Sequence, residues 1–353
     1  MSDPIVIAIL VPPIQNIDSP HDKPMLENSM EWTMNNRKIL TVFGFDIFTK
    51  NNSVWINGKY IRKGIYTTYI GKIDAIYDRF PSQARSQHFT DIVQLSCSIP
   101  FANPPSLTTL CRDKLACQRF LEENDIPMPP VCETTSTTSN AVQILKDWNT
   151  AFLKPRFGSL GVGVEQISYT SNIKIPPTVT GLQGSEPSIL QKAITPPIGW
   201  AGWSVRQLCQ RQYDAQNSIS WKLYPSVVRA SIDDSVVNVA RGAQTHIGEE
   251  FLPSKTIAGI KQQSMDVCRA FSRLPDGKLA VELGLDFVID ADMIPWLIEV
   301  NSRPRGRLRE LAKKIPSTYQ PMHEQACTFP VLYLASIVQN TVQHEIGYQP
   351  NRL

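Results

Sequence analysis

Apolar residues in this 353-residue chain gather in two patterns: short continuous blocks, and longer stretches recurring every three or four positions. Residues 5–10 (IVIAIL) are a continuous block of strand length, the pattern of a strand buried on both faces. Residues 24–40, with Met25, Leu26, Met30, Trp32 and Met34, fit a helix. Residues 42–49 fit a second strand, where such a helix would return to a parallel sheet. Residues 72–81 read as a further strand ending in a polar loop, and Pro104–Pro105 closes a first α/β unit.

Residues 107–124 place Leu110, Leu115, Cys117, Phe120 and Leu121 at helical steps, and the IPMPP that follows cannot continue a helix. A Thr/Ser run at 134–139 leads into a second helix, 141–148. A strand at 151–154, a glycine loop and a strand at 163–167 come next. The Pro/Gly/Thr-rich residues 171–186 read as an exposed connection. From Ser188 the texture is mostly β, with strand-length runs at 188–194, 204–211, 226–231 and 235–241. Helices are expected over 255–274 and 327–342. Between them, the runs 283–289 and 296–300 flank a turn with Asp290 and Asp292 and read as an antiparallel pair. The fold class is mixed, α/β and α+β, with divisions at 1–105, 106–185 and 186–353.

Composition and charge narrow the partners. The 35 Lys and Arg against 32 Asp and Glu leave a net charge of only +3, without the basic stripe of a nucleic-acid binder. One basic cluster, Arg303, Arg305, Arg307 and Arg309, is local. Seven cysteines without a CxxC pair favour reduced thiols in a cytoplasm, and the five histidines form no metal-ligand pattern. The N-terminal apolar run is too short to span a membrane and lacks a basic leader, so neither a membrane partner nor a signal peptide is expected.

Candidate chemistry concentrates in the last hairpin. Asp286 lies on its first strand, while Glu299 and Asn301, two apart on the second, share a face. Glu299 stands among Leu297, Ile298 and Val300, where a carboxylate is costly unless paired or bound to metal. If the three face one site, they form a hard-oxygen set suited to Mg²⁺ bridging nucleotide phosphates, not to zinc or copper. The alternative for Asp286 is a solvent-facing strand position. Upstream, AFLKPRFGSLGVGV is a strand carrying Lys154, a loop with Gly158, Ser159, Gly161 and Gly163, then another strand. Glycines let backbone N–H groups approach phosphate oxygens, and Lys154 would bring an ammonium to the α- or β-phosphate. No GK[ST] occurs, so this is not a Walker loop.

These residues occur in a distinctive order. Lys114 in a helix precedes Lys154 before the glycine loop; Gln191-Lys192-Ala193-Ile194 on a strand precedes Arg206, Arg229, Asn238 and Arg241-Gly242; Asp286, Glu299 and Asn301 close the series. That order resembles the ATP-grasp superfamily over roughly residues 70–335. The EVNS-x-P ending and the Trp221 segment leading to Arg229 are most similar to its YheC/YheD-type branch, associated with endospore coats. The resemblance implies an ATP-grasp fold with an N-terminal α/β pre-ATP-grasp domain.

The same resemblance implies roles. Lys114 and Lys154 would contact ATP phosphates, with Gly158, Ser159, Gly161 and Gly163 in the covering loop. Gln191, Lys192, Ala193 and Ile194 would line the adenine pocket. Asp286, Glu299 and Asn301 would hold Mg²⁺, as two ions. Arg229, Asn238 and Arg241 would face the γ-phosphate or an acyl-phosphate. Independently of the resemblance, Arg303 follows the metal-ligand candidates directly and is placed to hold an acceptor carboxylate or a phosphate. The implied activity is an ATP-dependent ligase that activates a carboxylate and joins it to an amine. Its partners would be small molecules, with a peptide substrate and a homodimer both compatible, in a cytoplasmic or spore-associated setting. The other reading is an ATP-binding coat-associated protein with little or no catalysis. Departures from the family pattern lie at Ser204, where an acidic residue is common, after Ile194, where no ribose-binding acid follows, and at Arg305, interposed before Gly306.

Overall fold

The computed structural model describes residues 3–11, 33–34, 37–62, 65–79, 95, 98–134, 138–158, 161–181, 184–213, 219–236, 243–304 and 308–347. The first sheet comprises β1 (Ile5–Leu10), β2 (Thr33–Met34), β3 (Arg37–Lys50), β4 (Ser53–Arg62), β5 (Ile65–Lys72), β6 (Ala75–Asp78) and β7 (Phe101–Ala102). Its order is β5-β4-β3-β1-β6-β7, with β2 beside β3. β1 runs parallel to β3 and β6, and all six of its residues are buried, as the unbroken apolar block requires. The expected helix over 24–40 is corrected at its end: residues 37–40 already belong to β3, and residues 24–32 lie outside the described residues. The β-branched and aromatic alternation of β3, β4 and β5 makes an antiparallel meander that turns at Asn51 and Asn52, both at positive φ.

The single helix expected over 107–124 is two helices, α1 (Pro105–Arg112) and α2 (Lys114–Glu122). Asp113 breaks the run: its backbone is extended, and its carboxylate accepts hydrogen bonds from the Leu115 and Ala116 amides. An aspartate at that point satisfies the amides that a helix start leaves open. The second sheet, antiparallel throughout, is built from β8 (Val131–Glu133), β9 (Thr150–Pro155), β10 (Glu165–Ser168), β11 (Thr178–Gly181) and β12 (Gly184–Lys192), with α3 (Thr138–Trp148) packed on it. Part of the stretch read as a loose connection, 171–186, is thus strand: Thr178, Val179 and Thr180 pair with β12, whose first residue, Gly184, has φ +107°. β12 ends at Lys192, so Ala193 and Ile194 lie just beyond it.

The third sheet has the order β16-β15-β13-β17-β18, with β14 beside β13. Its strands are β13 (Gly202–Tyr213), β14 (Ile219–Leu223), β15 (Val227–Ser231), β16 (Gln244–Ile247), β17 (Glu282–Ile289) and β18 (Pro295–Asn301). Of the run expected at 235–241, residues 237–241 lie outside the described residues. The short α4 (Gly248–Phe251) and the long α5 (Ser254–Ser272) follow β16. α1, α2 and α5 cover one face of the sheet through Leu107, Leu121, Ile260 and Phe271 against Val205, Leu285 and Phe287. α6 (Arg309–Lys314) and α7 (Pro316–Gly347) complete the chain. Pro330 inside α7 has no N–H for the Ala326 carbonyl, and Gln210 Nε2 of β13 donates to that oxygen instead, at 2.7 Å.

A buried polar junction joins the first and third sheets. The Glu282 carboxylate, wholly buried on β17, accepts from Arg79 Nη1 at 3.0 Å, from the Tyr77 hydroxyl, and from Gln210 Nε2 at 2.9 Å. Asn103, at φ +52° after β7, accepts from the Val281 amide at 2.7 Å and donates to the carbonyls of Glu282 and Ser302. The Glu282 amide also donates to Asn103 Oδ1, at 3.3 Å, and four-way use of one amide leaves several buried backbone groups orphaned if it is removed. Asn103→Ala is expected to lower the unfolding free energy by about 2–4 kcal/mol, read as a fall in the urea midpoint. Asn57→Ala, which removes an exposed contact to Asp46, is expected to change it by less than about 0.5 kcal/mol.

Candidate active site

The open face of the third sheet carries the charges. Arg206 on β13 stands opposite Asp286 on β17, which stands opposite Glu299 on β18; Ser204 and Arg229 are partners on β13 and β15. The β17–β18 register shifts after Asp286, so that Phe287 pairs with Leu297 and Ile298 is the extra residue of a bulge. Without it, Leu297 and Glu299 would share a face. The bulge sends Leu297 into the core and Glu299 to the charged side.

Arg206 grips Asp286 with two hydrogen bonds of 2.6 Å, Nε to Oδ1 and Nη2 to Oδ2. Burial opposes the Arg206 cation, but Asp286 outweighs it and holds the guanidinium above its ordinary value. Gly284, two before Asp286, makes room: a Cβ there would lie 2.7 Å from the Pro304 side chain and 3.4 Å from Arg206 Nη1. Asn301 Nδ2 donates to Asp286 Oδ2 at 2.9 Å, which leaves the Asn301 carbonyl oxygen for another partner. The Arg229 guanidinium makes no hydrogen bond or ion pair among the described residues, and burial, then Arg206, depress its pKa. The buried Ser204 hydroxyl beside it also lacks a partner among the described residues.

Two lysines face this surface from the second sheet and α2. Lys114 Nζ donates to the Gly158 carbonyl at 2.8 Å and stands 3.8 Å from Glu299 Oε1, so it joins the glycine loop to the hairpin. Lys154 is buried on β9 and donates to Gln191 Oε1 at 2.5 Å. Gln191 in turn donates to Gln118 Oε1 at 3.2 Å, and Gln118 to the Pro129 carbonyl at 2.8 Å. Burial above all, and Lys114 nearby, lower the Lys154 pKa to about 8 despite the attraction of Glu299. In the loop, Gly161 and Gly163 have φ of 70° and 71°, and a side chain at Gly163 would collide with the Thr180 carbonyl.

The structure therefore brings together Lys114, Lys154, Gly158, Gln191, Asp286, Glu299 and Asn301, with Arg229 on the same sheet face as Asp286. Asp286 is buried, which excludes the solvent-facing alternative. Lys192 is exposed at the strand end. Arg303 is turned to the first sheet, 3.4 Å from Asp78. Ser159, Asn238 and Arg241 lie outside the described residues. Trp200 and Trp203 pack edge-on beside Phe251, and Trp221 stacks under Arg211, so these rings serve packing. Gln118 carries no expectation in the sequence, while Arg206 and Ser204 stand there only as a member of the ordered series and as a departure from the family pattern, without an assigned role. Gln118 was detectable as a polar residue one helical turn after Lys114, on the same face of α2.

Among the described residues no three His, Cys, Asp or Glu cluster together. A cation would instead take two carboxylates and an amide oxygen, from Asp286, Glu299 and Asn301. That all-oxygen donor set fits a hard ion such as Mg²⁺.

The family profile described as YheC/D like ATP-grasp matches residues 99–333. The chain belongs to that family. No curated protein sequence matches it. ATP-grasp structures share its fold. The VanG D-Ala:D-Ser ligase of Enterococcus faecalis superposes with a TM-score of 0.59 at 11% identity, covering 94% of this chain and 100% of its own. D-alanyl-alanine synthetase A of Vibrio cholerae O1 biovar eltor str. N16961 gives 0.58 at 16% identity, covering 97% and 100%. The D-alanine–D-alanine ligase of Bacillus anthracis in complex with ATP gives 0.56 at 14%, covering 96% and 100%. The ATP-grasp fold is thus established, with the charged face of the third sheet opposite the glycine loop.

The buried lysine of this ATP-grasp protein carries a pH signature. NMR of ¹³C-labelled lysine should show one side chain titrating near pH 8, well below the ordinary 10.5, and lost in Lys154→Met. Unfolding returns the group to its ordinary value, so the unfolded chain binds more protons between the two values. Stability should therefore rise with pH from about 8 to 10.5, and this rise should vanish in Lys154→Met.

Proposed function

We propose that this ATP-grasp protein is an ATP- and Mg²⁺-dependent carboxylate–amine ligase. The observation that carries the reading is Lys114, which ties the glycine loop at Gly158 to Glu299 on the face that also bears Asp286 and Asn301. Lys154 from the second sheet and Lys114 from α2 meet the oxygen ligands of the third sheet there, the arrangement a metal–nucleotide needs. The substrate carboxylate oxygen attacks the terminal phosphorus and the bond to ADP breaks. The amine nitrogen then attacks the acyl carbon, phosphate departs with the bonding pair, and the nitrogen sheds a proton.

The chain's residues divide that work. Lys114 and Lys154 neutralise the triphosphate, and the glycine loop covers it with backbone amides. Gln191 and Gln118 form a buried polar wall beside Lys154 that suits the base. Arg229, together with Asn238 and Arg241, receives the transferred oxyanion. Arg206 fixes the Asp286 carboxylate with its two hydrogen bonds. Asp286, Glu299 and Asn301 would hold Mg²⁺, which when bound screens the phosphate charge.

The test is ADP and phosphate release from Mg-ATP with pools of amino acids and other carboxylates. A productive pool should stimulate release, and Glu299→Ala should reduce it by about 100-fold. Release that survives Glu299→Ala would sink the metal assignment. Tight ATP binding with no stimulated release from any pool would favour a nucleotide-binding coat-associated protein. Absence of any ATP-dependent thermal shift would remove both.

A further inference from the structure

We propose that Arg156, acting through Asp113, is a positioning pair that sets Lys114 and the entry of the glycine loop against Glu299. The inference rests on the nucleotide-site reading above but concerns residues to which that reading assigns no role. Lys114 is the first residue of α2, and its placement depends on how the helix start is anchored. Asp113 anchors it twice. One carboxylate oxygen caps the Leu115 and Ala116 amides at 3.2 and 3.1 Å. The same carboxylate receives both arms of the Arg156 fork, Nε at 2.8 Å and Nη2 at 2.7 Å.

Arg156 follows β9 and directly precedes Phe157 and Gly158. Its backbone carbonyl accepts the Lys114 amide at 3.1 Å, and Asp113 and Phe157 form an isolated antiparallel bridge. Arg156 Nη1 also reaches Glu133 on β8 at 3.4 Å. The pair therefore sits where two bodies meet. α1 and α2 belong to the core of the third sheet, whereas Arg156 extends from the second. Lys114 Nζ bridges the same seam, between Gly158 and Glu299.

A fork matched to a carboxylate fixes angle as well as distance, which a lone ammonium cannot do. Both groups are partly shielded, with 27% and 14% of their side-chain surface exposed, so solvent only partly screens the pair. Asp113 is pulled below the ordinary carboxylate range, since the Arg156 and amide hydrogen bonds together outweigh its burial.

Calorimetric titration with Mg-ATP tests the pair. Asp113→Asn keeps a helix-capping side chain but loses the charge; Arg156→Gln removes the fork, and Arg156→Lys keeps charge without it. Asp113→Asn and Arg156→Gln should each weaken Mg-ATP by about tenfold, and Arg156→Lys should restore only part of that loss. In a Lys114→Met background the same changes should have no further effect beyond about twofold, because the residue they position is gone. A purely structural pair would lower thermal stability and leave this coupling at zero. A full tenfold loss persisting without Lys114 would overturn the proposal, as would wild-type affinity in Asp113→Asn and Arg156→Gln. Failure of the unaltered protein to bind Mg-ATP would instead overturn the nucleotide-site reading and this proposal with it.

Discussion

A single carboxylate that never meets water organises this molecule. Glu282 opens β17, the central strand that leads to the charged hairpin, and it could not be buried there without Arg79, Tyr77 and Gln210. Removing one member of such a set strands the others in low dielectric, which costs more than the set contributes when complete. Arg79 also holds the Pro304 carbonyl, and Asn103 the Ser302 carbonyl. The segment leaving Asn301 is thereby held at two points by residues from the first sheet. The first sheet thus helps to shape the site through this scaffold.

On the site face, charge is arranged in decreasing order of constraint. Among the described residues, Asp286 is held by Arg206 and Asn301, Glu299 has its ion pair with Lys114 at 3.8 Å, and Arg229 has no ion-pair partner. Under the proposed ligase reading, a preorganised carboxylate next to less committed charges would suit a phosphate and a cation, since the reorganisation has been completed on folding. Gly284 leaves room beside this cluster, because a Cβ there would run into the Pro304 side chain and lie against Arg206.

Much of this was legible in the sequence, and the exceptions have physical causes. The unbroken apolar block of β1 and the spacing of Glu299 and Asn301 announced themselves, because burial on both faces and a period of two leave direct traces. The break at Asp113 did not: the apolar helical step continues across it, and only the competition of a short carboxylate for backbone amides divides the run. The bulge at Ile298 was hidden too, since a shift of one residue rewrites which side chains share a face without altering composition. Arg206 had a place in the ordered series, but its role stayed open because its partner lies 80 residues away on another strand. Arg303 was placed by sequence adjacency to the hairpin, whereas Asp78, from the first sheet, decides where it points.

Pro330 adds a polar contact to the apolar seat of α7. The Ala326 carbonyl faces Gln210 because no helical N–H competes for it. The other internal proline, Pro321, frees a carbonyl at Ser317, nine residues earlier and about 13 Å along the axis. Sliding the helix by one turn would therefore present Gln210 with an oxygen already engaged in the helix's own ladder. Two prolines that weaken the helix internally thus make its docking register discrete, so α7 has one seat on β13 rather than a groove along which it can slip.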